Sequence, residues 1–540
     1  MIKQSSTSEA VSDRYETSHV TGEHNIKVAG LDIHNPVFLI SGVGVVLFVF
    51  FTLLFNEQAA EFFKGLRPMV TSRFDWVFMG AANLFFLIAI GLVFSPYGNI
   101  RLGGADTQPR YGYISWVAML FAAGIGIGIM FYAVLEPMNH FIALSGSAEE
   151  AARAAPLGLA LGTGDEAQRL AMAATLYHWA FHPWAIYAMV GLALAFFCYN
   201  KNLPMVIRSA FYPLLGERVW GWPGHVIDIF AVFATLFGLA TSLGYGAEQA
   251  GGGLNYVYDA PTGQFSNLVV VIVITVMALI SVLRGLDGGI KRLSEINMAM
   301  AVILGVFVLL IGPTGDILLD IAKNVWAYLT YLVPLSRWSG REDLGYMHDW
   351  TTFYWSWWIA FSPFVGMFIA RISLGRTVRQ FVIGCILAPS FIFVVWMTVF
   401  GSFAFDQYLV DGYQGVVNAV KDWQPELSLF KFLDELPFAK ITSTIGIVLV
   451  LVFFVTSMDS GSLILDTMTA GGKTKTPVVQ RIFWCVFLGL LGIALLLGGG
   501  LASLQSLSLT MGLPFCLIIV AMCVSLLMGL HNEWRDTHPK

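Results

Sequence analysis

Charge is what this chain has least of. Only 12% of its 540 residues are Asp, Glu, Lys or Arg, while 57% are hydrophobic and the mean hydropathy is +0.71. That excludes an ordinary soluble domain. Apolar runs of about 20 residues recur, as a polytopic membrane protein requires. The net charge of −5 comes with no basic tract, so no nucleic-acid partner is expected. Cysteine is scarce too. The five (Cys198, Cys385, Cys485, Cys516, Cys523) sit in apolar runs at unrelated spacings, which excludes a disulfide framework or a metal centre. The first 35 residues lack the apolar core of a leader and read as a disordered cytoplasmic tail. No His/acid/Ser set falls within the apolar runs at helical spacing, so no enzymatic chemistry and no cofactor are expected.

Twelve spans can be drawn: Val37–Phe55, Trp76–Phe94, Ile114–Leu135, Leu170–Cys198, Ile227–Gly246, Leu268–Leu283, Met298–Ile311, Thr351–Ala370, Phe381–Phe400, Ile441–Phe454, Ile482–Leu497 and Leu509–Leu530. With both termini inside, 19 of the 30 Lys and Arg fall in inner segments, although the outer loops are longer. Basic residues concentrate on the cytoplasmic side, so this orientation in a bacterial inner membrane is predicted. The segments are then a tail (1–36), two peripheral helices (37–95), a first five-helix unit (112–312), an outer loop (313–350), a second five-helix unit (351–530) and a short cytoplasmic tail (531–540). Within the outer loop, Ile317–Leu332 is apolar at helical spacing. It predicts a helix lying at the lipid interface or against a neighbouring subunit.

Aromatic residues are abundant where charge is absent. Trp355–Phe364, WSWWIAFSPF, holds three tryptophans and two phenylalanines. At 100° per residue Trp357, Trp358, Phe361 and Phe364 share about one third of the helix surface. Ring faces in a low-dielectric pocket suit a cation that carries methyl groups instead of donors. Ser362-Pro363 predicts a helix break beside those rings. In the fourth span, Trp179, Trp184 and Tyr187 lie within about 140° of arc and can wall the same cavity, with Pro183 bending the helix between them. His178 and His182 point elsewhere and read as hydrogen-bonded structural residues.

The third span carries AAGIGIG, with Gly124, Gly126 and Gly128. No strand precedes it, so it is not a dinucleotide loop. Alternating glycines weaken a helix and let bare backbone pass a ligand, although Gly124 and Gly128 also suit close helix packing. A glycine-broken third span and a proline-broken eighth span (Pro363), five spans apart, are the sequence sign of an inverted repeat with its site at the crossing. In the tenth span, Thr456 and Ser457 offer hydroxyl oxygens in an apolar helix, and the Gly-Ser that follows suggests unwinding. Hard oxygens without a carboxylate suit a monovalent cation, while back-bonding to their own helix is the plainer reading. No Asp or Glu falls within the third, fourth, eighth or tenth span as drawn. A bare cation would therefore lack a counter-charge, whereas a zwitterion carries its own.

Four stretches, AMLFAAGIGIGIMFYAVLEP, HWAFHPWAIY, FYWSWWIAFSPFVGMFIARISLGRTVR and FFVTSMDSGS, together resemble the betaine/carnitine/choline transporter family, in its sodium-coupled betaine-type branch. The resemblance covers about residues 35–530. It implies an all-α membrane protein of twelve transmembrane helices with a 5+5 inverted-repeat core like that of the leucine transporter, assembled as a homotrimer in lipid. It implies a substrate cage of Trp179, Trp184, Tyr187, Trp357 and Trp358, to which Trp355 and Phe361 are added as candidates. It places sodium, the coupling ion, on the carbonyls of Ala122, Ile125 and Phe453 and the hydroxyls of Thr456 and Ser457. A second family sodium site would fall on Thr235 and Phe364, but Leu239 stands where its other threonine belongs. Phe361 replaces the tryptophan of betaine carriers, Val365 replaces the methionine of sodium-independent exchangers, and the long basic tail of osmosensing members is absent. The expected function is sodium-coupled import of a methylated zwitterion: glycine betaine first, carnitine or dimethylsulfoniopropionate next. A choline carrier or a substrate/product exchanger of the same family is the alternative, and a channel is the rival from another class. On the charge argument choline should be a poor substrate, and Gly128→Asp should improve it.

Overall fold

The computed structural model describes residues 15–124, 126–284 and 291–538. The chain is an all-α polytopic membrane protein: among the described residues, 11 helices are long and apolar enough to cross a bilayer. The longer helices, numbered in chain order, are α1 (Val37–Leu54), α2 (Asn56–Phe94), α3 (Tyr113–Gly124), α4 (Ile127–Leu144), α5 (Asp165–Trp179), α6 (Phe181–Tyr199), α7 (Trp222–Tyr258), α8 (Gln264–Arg284), α9 (Lys291–Ile311), α10 (Thr314–Ser336), α11 (Phe353–Ile372), α12 (Val378–Leu409), α13 (Ala439–Thr469), α14 (Val478–Leu497) and α15 (Gly500–Thr537). The third predicted span corresponds to two shorter helices, α3 and α4, and is not among those 11.

Burial separates the centre from the lipid face. The apolar stretch of α5–α6 is 89% buried and that of α11 with its lead-in is 83% buried, against 22% for α9 and 33% for α8. The helices that carry the aromatic motifs are therefore the core. The amphipathic α10 appears where the outer loop predicted it. Ile317, Asn324, Ala327 and Tyr328 face the protein, while Leu319, Trp326 and Val333 are exposed. The exposed face is apolar enough to meet lipid or another subunit.

Several expectations change. The third span breaks as predicted: α3 ends at Gly124 and α4 starts after Gly126, whose backbone is extended. Ile125 between them lies outside the described residues. The eighth span does not break at Pro363, because α11 runs through it to Ile372. Proline 363 cannot donate to the carbonyl of Ile359, but the Ser362 hydroxyl does so instead at 2.7 Å. The departure from α geometry comes earlier, in a π-helical stretch over Met347–Thr352. The fourth span breaks at Ala180 (φ −100°, ψ −112°), ahead of Pro183, which cannot donate to the Trp179 carbonyl. Nor does the tenth span unwind: α13 stays helical across Ser457–Ser462 to Thr469.

The described parts of the two predicted tails are ordered, while residues 1–14 and 539–540 lie outside the described residues. Residues 25–34 form a β-hairpin, β1 (Asn25–Val28) against β2 (Leu31–His34), and Tyr15 is buried. At the other end, α15 continues to Thr537, and Glu533 holds Lys201. In both places polar residues tie to charged groups at the helix ends, which a hydropathy reading does not see.

Replacing Ser362 with alanine should expose the cost of Pro363. The buried Ile359 carbonyl would lose its remaining side-chain donor, at about 1 kcal/mol. Thermal unfolding of the detergent-purified protein should fall by a few degrees for Ser362→Ala and far less for Ser362→Thr. Equal stability of both variants with the parent would contradict this account.

Candidate functional site

The centre of the molecule is built on one stripe of α4. Tyr132, Glu136 and His140 are spaced four residues apart and so share a face. All three are buried, and Glu136 is 0% exposed. A carboxylate there needs partners, and it has four donors. Its Oε1 meets Nδ1 of His178 at 2.6 Å and Nε2 of His140 at 3.4 Å. Its Oε2 accepts from the Trp179 indole N–H at 2.7 Å and the Tyr354 hydroxyl at 2.5 Å. Helices α4, α5 and α11 are thus joined at one acid.

A third span drawn only to Leu135 leaves the cage without an acid, but the helix continues to Leu144, and Glu136 is bonded directly to a cage tryptophan. The available signal was the four-residue spacing of Tyr132, Glu136 and His140, which continues the helix beyond the apolar run.

Above the acid, aromatic rings from five helices, α4, α5, α6, α7 and α11, meet. Trp358 lies edge-to-face with Trp179 at 5.3 Å and with Tyr187 at 5.4 Å, and Trp357 is 6.2 Å away. Trp184 lies edge-to-face with Tyr187 at 5.4 Å. Tyr132 sits 5.8 Å from Trp179 and 5.4 Å from Tyr354, and Tyr245 of α7 is 5.5 Å from Trp357. Such tilted and edge-on pairs at 5–6 Å are the favourable geometry for π systems. The Trp358 indole is fixed by donating to the His178 carbonyl at 3.0 Å. Among the described residues, the buried indole N–H groups of Trp184 and Trp357 have no acceptor.

The break at Ala180 and the glycine at 128 set this arrangement. Trp179 is the last residue of α5, so its ring turns across the start of α4. A Cβ placed on Gly128 would lie 2.2 Å from Cη2 of Trp179. Only glycine lets the indole approach the backbone so closely.

Not every candidate joins the cluster. Trp355, two residues from Trp357, lies about 160° round the helix from it. It packs on Tyr177 and His182 at 5.1 and 5.6 Å, and its N–H donates to Met79 Sδ at 3.2 Å. Phe361 and Phe364 pair with each other at 5.4 Å, and Phe361 lies against Gly238 of α7. The structure brings Trp179, Trp184, Tyr187, Trp357 and Trp358 together, but sets Trp355 and Phe361 apart. Tyr132, Tyr245 and Tyr354 join the cluster without having been picked from the sequence; a tyrosine among apolar residues reads as packing until its hydroxyl partner is known.

For the cation candidates, the Thr456 hydroxyl donates to its own helix, to the carbonyls of Val452 and Phe453 at 3.0 and 2.9 Å. Ser457 beside it is half-buried and Phe453 is buried. Ala122 lies in the last turn of α3, and Ile125 lies outside the described residues. Thr235 also back-bonds, to Ala231 O at 2.8 Å. Of the two histidines, His182 is held by Asn83 at 3.0 Å, whereas His178 is part of the acid's surroundings.

The profile of the betaine/carnitine/choline family transporters matches residues 36–535. A glycine betaine/proline/choline transporter of Vibrio parahaemolyticus is 53% identical over 96% of this chain and 95% of its own length. Glycine betaine transporter 1 of the same organism is 48% identical, over 96% of this chain and 99% of its own. The glycine betaine transporter OpuD of Bacillus subtilis is 39% identical, over 88% and 90%. A family profile over residues 36–535 and relatives at 39–53% identity over most of the chain, all named as transporters, identify the protein: the chain belongs to the betaine/carnitine/choline family of transporters.

Proposed function

We propose that this transporter imports a small quaternary-ammonium or sulfonium compound by sodium symport, with glycine betaine as the leading substrate and carnitine or dimethylsulfoniopropionate as further zwitterions. The observation that carries this reading is the set of rings around Trp358. Trp179 and Tyr187 lie edge-to-face with Trp358, so rings from α5, α6 and α11 converge, and such rings suit a methylated cation. The open N–H groups of Trp184 and Trp357 are donors suited to the carboxylate end of a zwitterion. The names of the relatives at 39–53% identity support betaine-type substrates. Choline is the second reading, and it rests on a specific observation, the buried carboxylate of Glu136.

Sodium coupling rests on Thr456 and Ser457, with the carbonyls of Ala122, Ile125 and Phe453. Because the Thr456 proton goes to its own helix, the oxygen's remaining lone pair is free to face a cation. Back-bonding and ion binding are thus compatible. We further propose a homotrimer in a bacterial inner membrane with both termini cytoplasmic, in which the exposed Leu319, Trp326 and Val333 face of α10 meets a neighbour. The twelve-span, 5+5 repeat arrangement is part of the same reading, with α3 and α4 counted as one broken span.

Uptake of labelled glycine betaine into proteoliposomes tests the proposal. One charge moving down 100 mV supplies about 2.3 kcal/mol, enough for roughly 50-fold accumulation of a neutral substrate. Accumulation should require an inward sodium gradient, and Thr456→Ala with Ser457→Ala should raise the sodium requirement sharply. Unchanged uptake in potassium-only buffer would overturn sodium symport. Failure to take up or exchange any methylated compound would overturn the substrate class.

A further inference from the structure

Glu136 has a second consequence, which depends on the substrate reading above. Its charge is buried, and among the described residues its ion-pair partners are only the two histidines. His178 can satisfy both ring nitrogens while neutral, donating from Nδ1 to Glu136 and accepting at Nε2 from the Thr351 hydroxyl at 3.0 Å. His140 can likewise donate from Nε2 as a neutral ring. The donors from Trp179 and Tyr354 carry no charge. With both rings neutral, the arrangement hydrogen-bonds the carboxylate without neutralising it and leaves a net negative charge beside the rings.

That charge bears on the cage through Trp179. An indole N–H donating to an anion places the negative charge at the ring edge and makes the ring face more attractive to a cation. The Tyr354 ring is polarised in the same way. We propose that Glu136 is the fixed counter-charge of the cage and sets how strongly the site favours a net cation over a zwitterion. Choline is the simplest probe of the first class and glycine betaine of the second. A zwitterion gains at its ammonium and loses part of that gain at its carboxylate, so the two ligands should depend on Glu136 unequally. For charges about 7 Å apart at the effective dielectric of protein sites, the difference is on the order of tenfold or more in affinity.

The role is one of selectivity, so the readout is a ratio. Choline and glycine betaine affinities are measured on the full-length protein by quenching of tryptophan fluorescence, and by mutual competition for uptake in proteoliposomes. For Glu136→Gln, choline affinity should fall at least tenfold more than betaine affinity. For Glu136→Asp, which keeps the charge, the ratio should stay within about threefold of the parent. An equal loss for both ligands in Glu136→Gln would show a packing role only and overturn the proposal. So would binding of betaine but not choline by the unaltered protein. If Glu136→Gln does not fold, Trp179→Phe keeps a ring and removes the link to the acid. It too should cost choline more than betaine, and an unchanged ratio overturns the proposal. If the unaltered protein binds neither ligand, the substrate reading itself fails and takes this inference with it.

Discussion

Trp358→Ala is expected to abolish accumulation of substrate while the protein still inserts. Trp358 touches Trp179, Tyr187 and Trp357 and holds the His178 carbonyl, so it joins the two ring-bearing helices α5–α6 and α11. Loss of one face of the cage should weaken binding roughly 5- to 30-fold. Its neighbours would also relax into the space, which costs about 3–5 kcal/mol of stability for a buried tryptophan. The two effects separate in a Trp358→Phe variant, which restores most of the volume but not the bond to His178. Uptake, ligand-induced fluorescence quenching and thermal unfolding should be measured on both variants. Alanine should fail in all three, and phenylalanine should recover stability before affinity. Near-normal betaine affinity in Trp358→Ala would rule out the ring cluster as the binding site.

A side chain at Gly128 should be as damaging, whatever its charge. A Cβ there would lie 2.2 Å from Cη2 and 2.8 Å from Cζ3 of Trp179. The indole would have to swing away, and its 2.7 Å bond to Glu136 would break. This reverses the expectation that Gly128→Asp improves choline uptake. Space, not the missing charge, is limiting at this position, and a buried carboxylate is already present. Gly128→Ala and Gly128→Asp should both lose uptake of betaine and of choline by at least an order of magnitude, with α-helical circular dichroism unchanged. Gain of choline transport in Gly128→Asp, measured as competition against labelled betaine, would show that Trp179 has another place to go.

Much of this was legible because hydropathy and ring spacing are local properties. Trp179, Trp184 and Tyr187 could be put on one face from their spacing alone, and three alternating glycines announced the break between α3 and α4. What was lost was lost at boundaries and through tertiary bonds. Drawing the third span to the last apolar residue, Leu135, cut it one position short of the acid that organises the centre. Proline 363 reads as a break until Ser362 is known to cap the carbonyl it frees. Trp355 belongs to the same motif as Trp357, but helix α2 presents Met79 on the opposite side and draws it away. In each case the deciding atom comes from a residue whose partner lies on another helix or whose side chain bonds back to its own.

The hairpin β1–β2 lies across two regions distant in the chain. Asp32 pairs with Lys473 at 2.8 Å, its backbone N–H donates to Gln480 Oε1 at 3.1 Å, and the Asn25 side-chain amide donates to the Ala470 carbonyl at 3.0 Å. A few residues earlier, the Glu16 carbonyl accepts from Tyr212 at 2.9 Å. Residues 16–34 therefore form a strap from the end of α13 to the turn before α7. Its Asp32–Lys473 pair is partly exposed and worth only about 0–1 kcal/mol, but Ile33 and His34 behind it are buried in the core. Such a strap resists drift of α13, because freeing it would uncover Ile33, at about 1.5–3 kcal/mol for a buried isoleucine. In mechanical terms it is a rivet with an outer catch: the partly exposed ion pair sets the register, and the buried side chains behind it hold the join.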